Sequence, residues 1–187
     1  MRQKNDTIIK RRYTLLIYTE NHIGLLNRIS IIFTRHKVNI ETLNTSSCMH
    51  KSLHSFVITI NTTKAQAKHL CKCIEKQVEV AKAFLYREDQ IIAQEVALYK
   101  ISCTEKQPFS KLQNIIRTSN VRVLAVEGDF IVLEKTGTQI DTQDFLKKLK
   151  DFDVREFIQS GRVIVTRPMG KLQDVLAKMD EDEEKDF

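Results

Sequence analysis

The sequence is poor in the residues that interrupt regular structure, with 5 Gly and 2 Pro among 187 residues. Apolar residues make up 42% of the chain and charged residues 29%. This composition excludes collagen-like, low-complexity and intrinsically disordered chains. No apolar run approaches the roughly 18–20 residues of a membrane-spanning helix, and the basic N-terminus lacks the apolar segment of a secretory signal. We expect a cytoplasmic protein with one domain or two small ones.

The cysteines lack the spacing of a disulfide framework or a zinc site. They are Cys48, Cys71, Cys73 and Cys103, with no C-x-x-C pair. Cys71 and Cys73 lie two residues apart on a predicted helix and should face different directions. Cys48, His50 and His54 form a loose C-x-H-x3-H pattern, but residues four apart on a strand are separated by roughly 13 Å. We therefore expect reduced thiols and no metal site.

The net charge of +6 raises the possibility of a nucleic-acid partner. The basic residues are nevertheless spread along the chain, with Lys10–Arg12 as the tightest cluster, and residues 180–184 are acidic. Helix-turn-helix spacing, a zinc-finger pattern and an aromatic-rich basic strand are all missing from the sequence. Solvated surface charge is the favoured interpretation, with neither a nucleic-acid nor a membrane partner.

The hydropathy pattern of the first half predicts the order βαββαβ. Apolar runs or period-two alternation predict strands over residues 13–19, 38–45, 52–61 and 80–87. Helical spacing of apolar residues predicts a helix over 24–36 and a second helix that Thr62 or Thr63 can cap. The buried stripe of the second helix would be Ala67, Leu70, Cys71, Ile74 and Val78. This order is the ferredoxin-like arrangement.

The same order begins again after a predicted linker at residues 88–94. Strands are predicted over 95–103, 121–126, 129–134, 154–158 and 162–166. Pro108 precedes a predicted helix, and Asp141 can cap another that carries Phe145, Leu146 and Leu149. We thus expect an α+β protein with two ferredoxin-like domains, at 12–88 and 94–170, and a charged tail at 171–187. The second domain has one extra strand.

The sequence gives no sign of an active site. It lacks the G-x-S-x-G, P-loop and dinucleotide-binding glycine motifs. No nucleophile with an adjacent base and no pair of acid–base carboxylates stands out. We expect that the chain is not an enzyme by itself, and an enzyme with an unrecognised nucleophile is the weakest alternative.

The turn between the first predicted strand and helix is the most informative local feature. The strand leads into residues 19–29, where the helix begins at Gly24. The first N–H groups of a helix have no internal partner and, together with the helix dipole, can receive a carboxylate. Gly24 would let the backbone approach such a ligand closely. The alternative is an ordinary turn in which Gly24 relieves strain and Asn21 caps the helix.

Two motifs resemble the ACT domain of the acetolactate synthase small regulatory subunit. The first, E-N-x-x-G-x-L-x-R, is matched by Glu20, Asn21, Gly24, Leu26 and Arg28. The second is N-I-E-x-L at residues 39–43, after the predicted helix. Later landmarks of the same family are E-V-x-L-x-K at 95–100 and Ser-Gly at 160–161. The resemblance covers roughly residues 12–170 and therefore both predicted domains.

The resemblance implies a regulatory role in branched-chain amino acid biosynthesis. In this family the small subunit performs no chemistry and binds a large catalytic subunit, which carries thiamine diphosphate, magnesium and FAD. It activates that subunit and transmits feedback inhibition by valine. An alternative role is that of an ACT-type amino-acid sensor that regulates a different enzyme or a transcription factor.

The resemblance also implies an effector site for valine between the ACT domains of a homodimer. Asn21 and Asn39 would hydrogen-bond the ammonium or carboxylate of the ligand, and Ile40 would supply a backbone contact. The backbone at the start of the helix would receive the carboxylate. The family commonly has glycine at the position of Lys37. The residues implied are Asn21, Ile23, Gly24, Leu25, Asn39 and Ile40, with no catalytic or metal-binding residue.

Overall fold

The computed structural model describes residues 9–48, 53–103 and 109–167. Pro108, His50 and the predicted tail at 171–187 lie outside these ranges. The chain divides into two compact units, of which the second spans Ala93–Val163. Among the described residues, no helix combines the length and the apolar character needed to span a membrane.

The first unit has the predicted order βαββαβ. Its elements are β1 (Arg11–Glu20), α1 (Leu25–Arg35), β2 (Ile40–Ser47), β3 (Leu53–Thr62), α2 (Lys64–Glu75) and β4 (Val80–Arg87). The strands form an antiparallel sheet in the spatial order β2-β3-β1-β4. β2 and β4 therefore lie at the two edges of this sheet.

Two amphipathic helices pack on one face of this sheet. Inward-facing residues of the central strands, among them Leu15, Ile17 and Ile58, share one core with both helices. The predicted stripe of α2 holds as far as Ile74, but Val78 lies beyond the helix end and is 95% exposed. The buried helical residues are Leu25, Ile29, Ile32 and Phe33 on α1 and Ala67, Leu70, Cys71 and Ile74 on α2.

Local hydrogen bonds at the start of α2 confirm one predicted cap. Thr63 is the N-cap residue, and its hydroxyl accepts a hydrogen bond from the Gln66 N–H at 3.2 Å. This bond satisfies one of the N–H groups that the first helical turn leaves without an internal partner.

The second unit repeats the order and adds one strand, as predicted. Its elements are β5 (Ile91–Ser102), α3 (Phe109–Thr118), β6 (Arg122–Val126), β7 (Phe130–Gly137), α4 (Gln139–Lys148), β8 (Val154–Gln159) and β9 (Val163–Thr166). The first two residues of β5 and the last three of β9 belong to the first unit. The sheet order is β6-β7-β5-β8, and β9 also pairs with β5. Both halves are thus α+β, which confirms the predicted fold class.

Two local features of this half differ from the prediction. Glu88–Gln90 form a short 3₁₀ helix and β5 begins at the buried Ile91, so the strand begins four residues earlier than predicted, within the predicted linker. The N-cap of α4 is Thr138 and not Asp141. Asp141 instead accepts a hydrogen bond from the Thr138 N–H at 2.8 Å, while its own N–H donates to the Thr138 hydroxyl at 3.3 Å. This is a capping box. Hydrogen bonds from the Thr138 hydroxyl, at 2.7 Å, and from the Thr138 N–H lower the pKa of the Asp141 carboxyl.

Candidate functional site

The turn from β1 to α1 depends on a left-handed glycine. Gly24 is the N-cap of α1 and has φ 85° and ψ −3°. A side chain is strained in this conformation, whereas glycine adopts it freely. A Cβ atom built at this position would meet nothing within 4 Å. The backbone conformation, and not a shortage of space, therefore calls for glycine.

The N-terminus of α1 has no side-chain cap. No side chain accepts a hydrogen bond at the N-cap of this helix, and its first turn contains no acidic residue. The alternative in which Asn21 caps the helix is therefore wrong. The Leu25 N–H donates to the His22 carbonyl at 3.3 Å. The next N–H groups of the first turn have no intrahelical acceptor and remain available to an anion.

An ion pair anchors this helix start to the neighbouring loop. Arg28, in the first turn of α1, pairs with Glu79, which precedes β4. The Glu20 N–H at the end of β1 donates to the Glu79 carbonyl at 3.0 Å. A hydrogen bond from its own backbone N–H, helped by the Arg28 guanidinium, lowers the pKa of Glu79. The turn is thus held from two sides while its exposed surface stays open.

The other end of α1 closes in a Schellman motif. The Lys37 N–H donates to the Thr34 carbonyl at 3.0 Å, and the Val38 N–H donates to the Phe33 carbonyl at 3.1 Å. Lys37 has φ 53°, in the left-handed region. This is the position that glycine usually occupies in such motifs. The family that the sequence resembles commonly has glycine at this position. Lys37 forms the same turn at some cost in backbone strain.

The six predicted effector-site residues fall into two groups in one chain. β1 ends level with Leu53 of β3, whereas β2 begins level with Ile60 of β3. These two residues are seven apart on β3, roughly 23 Å at the rise of an extended strand. An amino acid therefore cannot contact both groups of a single chain. The first group is Asn21, Ile23, Gly24 and Leu25, and the second is Asn39 and Ile40.

Exposure differs within these groups. Ile23 is fully exposed, and Leu26 and Ile31 on α1 are also exposed apolar residues. Asn21 and Asn39 are exposed, whereas Leu25 lies in the core and could offer only its backbone. The turn thus combines free backbone N–H groups with uncovered apolar surface.

A second cluster of polar side chains was missed by the sequence analysis. His36, His69 and Cys73 each place one potential ligand atom within 4.8 Å of the others. His69 and Cys73 are four residues apart on α2, a spacing that puts them on one helix face and is visible in the sequence. His36 joins them only because the end of α1 packs beside α2. In the C-x-H-x3-H pattern of Cys48, His50 and His54, His50 lies outside the described residues.

Two family models match this chain. "AHAS small subunit-like ACT domain" matches residues 15–82, and "Small subunit of acetolactate synthase" matches residues 94–168. The acetolactate synthase small subunit of Mycolicibacterium smegmatis is 27% identical over 157 residues, covering 83% of this chain and 91% of that protein. The Bacillus subtilis small subunit is also 27% identical, over 161 residues, covering 85% and 91%.

A solved structure supports the architecture. The crystal structure of the acetolactate synthase small subunit from Thermotoga maritima superposes with a TM-score of 0.77 at 20% identity. The match covers 86% of this chain and 99% of that one. At this identity the likeness concerns the fold, and both halves take part in it.

Proposed function

The chain belongs to the family of acetolactate synthase small subunits, which are regulatory and non-catalytic. From this we propose that it controls a large catalytic subunit in response to valine. It raises the activity of that subunit and transmits feedback inhibition in branched-chain amino acid biosynthesis. Thiamine diphosphate, magnesium and FAD belong to the large subunit. The family match of both halves favours acetolactate synthase over another ACT-regulated enzyme or a transcription factor as the regulated partner.

The uncapped start of α1 is the observation that carries the valine proposal. Its free N–H groups and the helix dipole suit the carboxylate of an amino acid. The exposed side chain of Ile23 offers apolar surface to a branched aliphatic side chain. The amide oxygen of Asn21 lies in the same turn and suits the ammonium group of the ligand.

The separation of the two residue groups supports a homodimer as part of this proposal. One site that includes both Asn21 and Asn39 must combine residues of two chains. β2 is an edge strand, so a second copy can pair with it in antiparallel fashion. Such pairing places the beginning of β2 of one chain beside the end of β2 of the other chain. In each chain, the end of β2 is level with the end of β1. The two-fold axis then generates two equivalent sites.

The second unit offers a surface to the catalytic subunit. Val96 and Ile158 are exposed on β5 and β8, and Val163 is exposed at the start of β9. Exposed apolar groups of this kind are typical of protein interfaces when they lie together. We assign the contact with the large subunit in part to these strands.

An acetolactate assay tests the proposal. The large subunit is measured alone, with this chain, and with this chain under increasing valine. We expect a higher rate on addition of the chain and a decline of that rate with valine. If the chain leaves the rate unchanged, the regulated partner is another protein. If the chain raises the rate but valine does not lower it, valine is not the effector.

A further inference from the structure

The side chains of His36, His69 and Cys73 bring three potential metal ligands close together. The His36 Nε2 lies 3.1 Å from the His69 Nε2, and the His69 Nε2 lies 3.5 Å from the Cys73 Sγ. All three ligand atoms fall within 4.8 Å of one another. Tetrahedral zinc with Zn–N near 2.0–2.1 Å and Zn–S near 2.3 Å separates two nitrogens by about 3.3 Å and nitrogen from sulfur by about 3.5 Å. The observed spacings therefore match two edges of such a tetrahedron.

We propose that His36, His69 and Cys73 bind a transition-metal ion of the zinc type. Two imidazole nitrogens and one thiolate form a ligand set that Zn²⁺ favours over Mg²⁺ or Ca²⁺, which prefer oxygen. Three protein ligands leave the fourth position to water or to an external ligand. The assignment concerns this chain alone and is independent of valine binding.

The imidazole of His36 is already oriented for this role. Its Nδ1 lies 2.8 Å from the Ile32 carbonyl oxygen, which can only accept a hydrogen bond. The proton is therefore assigned to Nδ1, and the lone pair of Nε2 points to the other ligands. A backbone carbonyl bound to the second ring nitrogen is the usual support of a metal-binding histidine.

The remaining ligands require only local proton changes. Without an ion, the His69 Nε2–H donates to the lone pair of the His36 Nε2. Coordination moves that proton to the His69 Nδ1 and releases the thiol proton of Cys73 to solvent, so that both Nε2 lone pairs and a thiolate face the ion. His69 is exposed and Cys73 is half-buried, which gives the ion a path of entry.

Neighbouring hydrogen bonds fix the backbone of the cluster. The Gln66 side-chain amide donates to the His36 carbonyl at 2.9 Å, which ties α2 to the end of α1. The Gln77 side-chain amide donates to the Cys73 carbonyl at 3.3 Å. The two helices therefore hold the ligands in place before an ion arrives, which lowers the cost of binding.

Metal titration of the untagged, chelator-treated full chain tests the proposal. Zn²⁺ binding is measured by calorimetry, and Co²⁺ binding is measured by absorption, because a cobalt–thiolate bond gives a charge-transfer band. We expect one ion per chain and a thiolate band. Cys73→Ser should remove the band and weaken Zn²⁺ binding at least tenfold, and His69→Gln should weaken it similarly. Cys103→Ser, a half-buried cysteine of the second unit, serves as the matched control and should bind as the original chain does.

Several results would overturn the assignment. One is a chain that binds no stoichiometric Zn²⁺ or shows no thiolate band. Another is an affinity that neither Cys73→Ser nor His69→Gln changes. A loss of the band in Cys103→Ser would place the ion elsewhere. Circular dichroism of each variant establishes that the fold is retained, and since the two changed side chains are not buried, at least one variant should remain fully folded.

Discussion

The carboxylate of Glu95 and the guanidinium of Arg162 form an ion pair inside the second unit. The Arg162 Nε lies 3.3 Å from Oε1 of Glu95, with the side chains 5% and 2% exposed respectively. The Gln159 side-chain amide donates to the other oxygen of Glu95 and, at 3.0 Å, to the Thr142 hydroxyl. The pair thus links β5, the end of β8 and α4 through buried polar contacts.

Removal of one partner of this pair should be costly. Arg162→Met leaves the buried Glu95 carboxylate without its cationic partner, and we expect a loss of about 3–5 kcal/mol in the free energy of unfolding. Lys100→Met, which breaks the exposed pair with Glu156 at 3.2 Å, should cost less than about 1 kcal/mol. Urea denaturation measures both. Equal effects of the two changes would contradict the importance of the buried pair.

Lys37→Gly should stabilise the first unit. The change relieves the left-handed strain in the Schellman motif, and glycine's larger unfolded-state entropy offsets only part of the gain. We expect up to about 1 kcal/mol of added stability in thermal unfolding. Asn120→Gly is the control, because Asn120 has φ 49° but asparagine tolerates this region better. The gain at residue 120 should be smaller, and the reverse order would argue against strain at Lys37.

Gly24→Asp and Gly24→Asn separate charge from backbone strain at the proposed effector site. Both variants place a side chain at φ 85° and should lose a similar amount of stability, about 1 kcal/mol. The carboxylate of aspartate additionally repels the carboxylate of valine. A loss of about 3 kcal/mol in binding is more than a hundredfold in affinity. In the acetolactate assay we expect Gly24→Asp to activate without responding to valine and Gly24→Asn to retain part of the response. An unchanged response in Gly24→Asp would exclude this turn as the site.

Mixed dimers test whether one site combines two chains. Gly24→Asp damages the first residue group and Asn39→Ala damages the second, so each homodimer should fail to bind valine. A mixed dimer, with one Gly24→Asp chain and one Asn39→Ala chain, contains one site in which both groups are damaged and one intact site. Random mixing should therefore restore about a quarter of all sites. Calorimetry after refolding of an equal mixture measures this recovery, and its absence would mean that each chain builds its site alone.

Ile158→Lys should weaken the contact with the catalytic subunit. Ile158 is 61% exposed, so a charge there should leave folding unaffected while it opposes apolar contact with a partner. We expect the concentration of this chain that gives half-maximal activation to rise at least tenfold. Val78→Lys, on the exposed loop after α2, is the matched control and should activate normally. Equal behaviour of the two variants would place the contact on another surface.

The sequence predicted those features that depend on neighbours along the chain. The order of elements follows from hydrophobic periodicity, which is why the stripe from Ala67 to Ile74 was predicted correctly. Val78 also fits this period, but the helix ends at Glu75. Thr138 and Asp141 form a T-x-x-D pattern, the usual sign of a capping box, so the correct N-cap could have been found.

Features that depend on distant contacts could not be predicted in this way. Asn21 and Asn39 are joined by a single helix in the sequence, yet the strand register places them at opposite ends of the sheet. His36 and His69 are 33 residues apart, and only the packing of α1 beside α2 brings their rings to 5.0 Å between centroids. The resemblance to a known family indicated Asn21 and Asn39, whereas no local pattern indicated that His36 lies beside His69.

In the proposed dimer, the seven-residue register offset between the two groups makes the binding of valine depend on protein concentration. A ligand held by both chains binds the assembled pair and not the separate chains, so it draws free chains into dimers. By the same linkage, dilution below the dissociation constant of the dimer lowers the apparent affinity for valine. A subunit built in this way reports the abundance of the amino acid and of its own chain in one response.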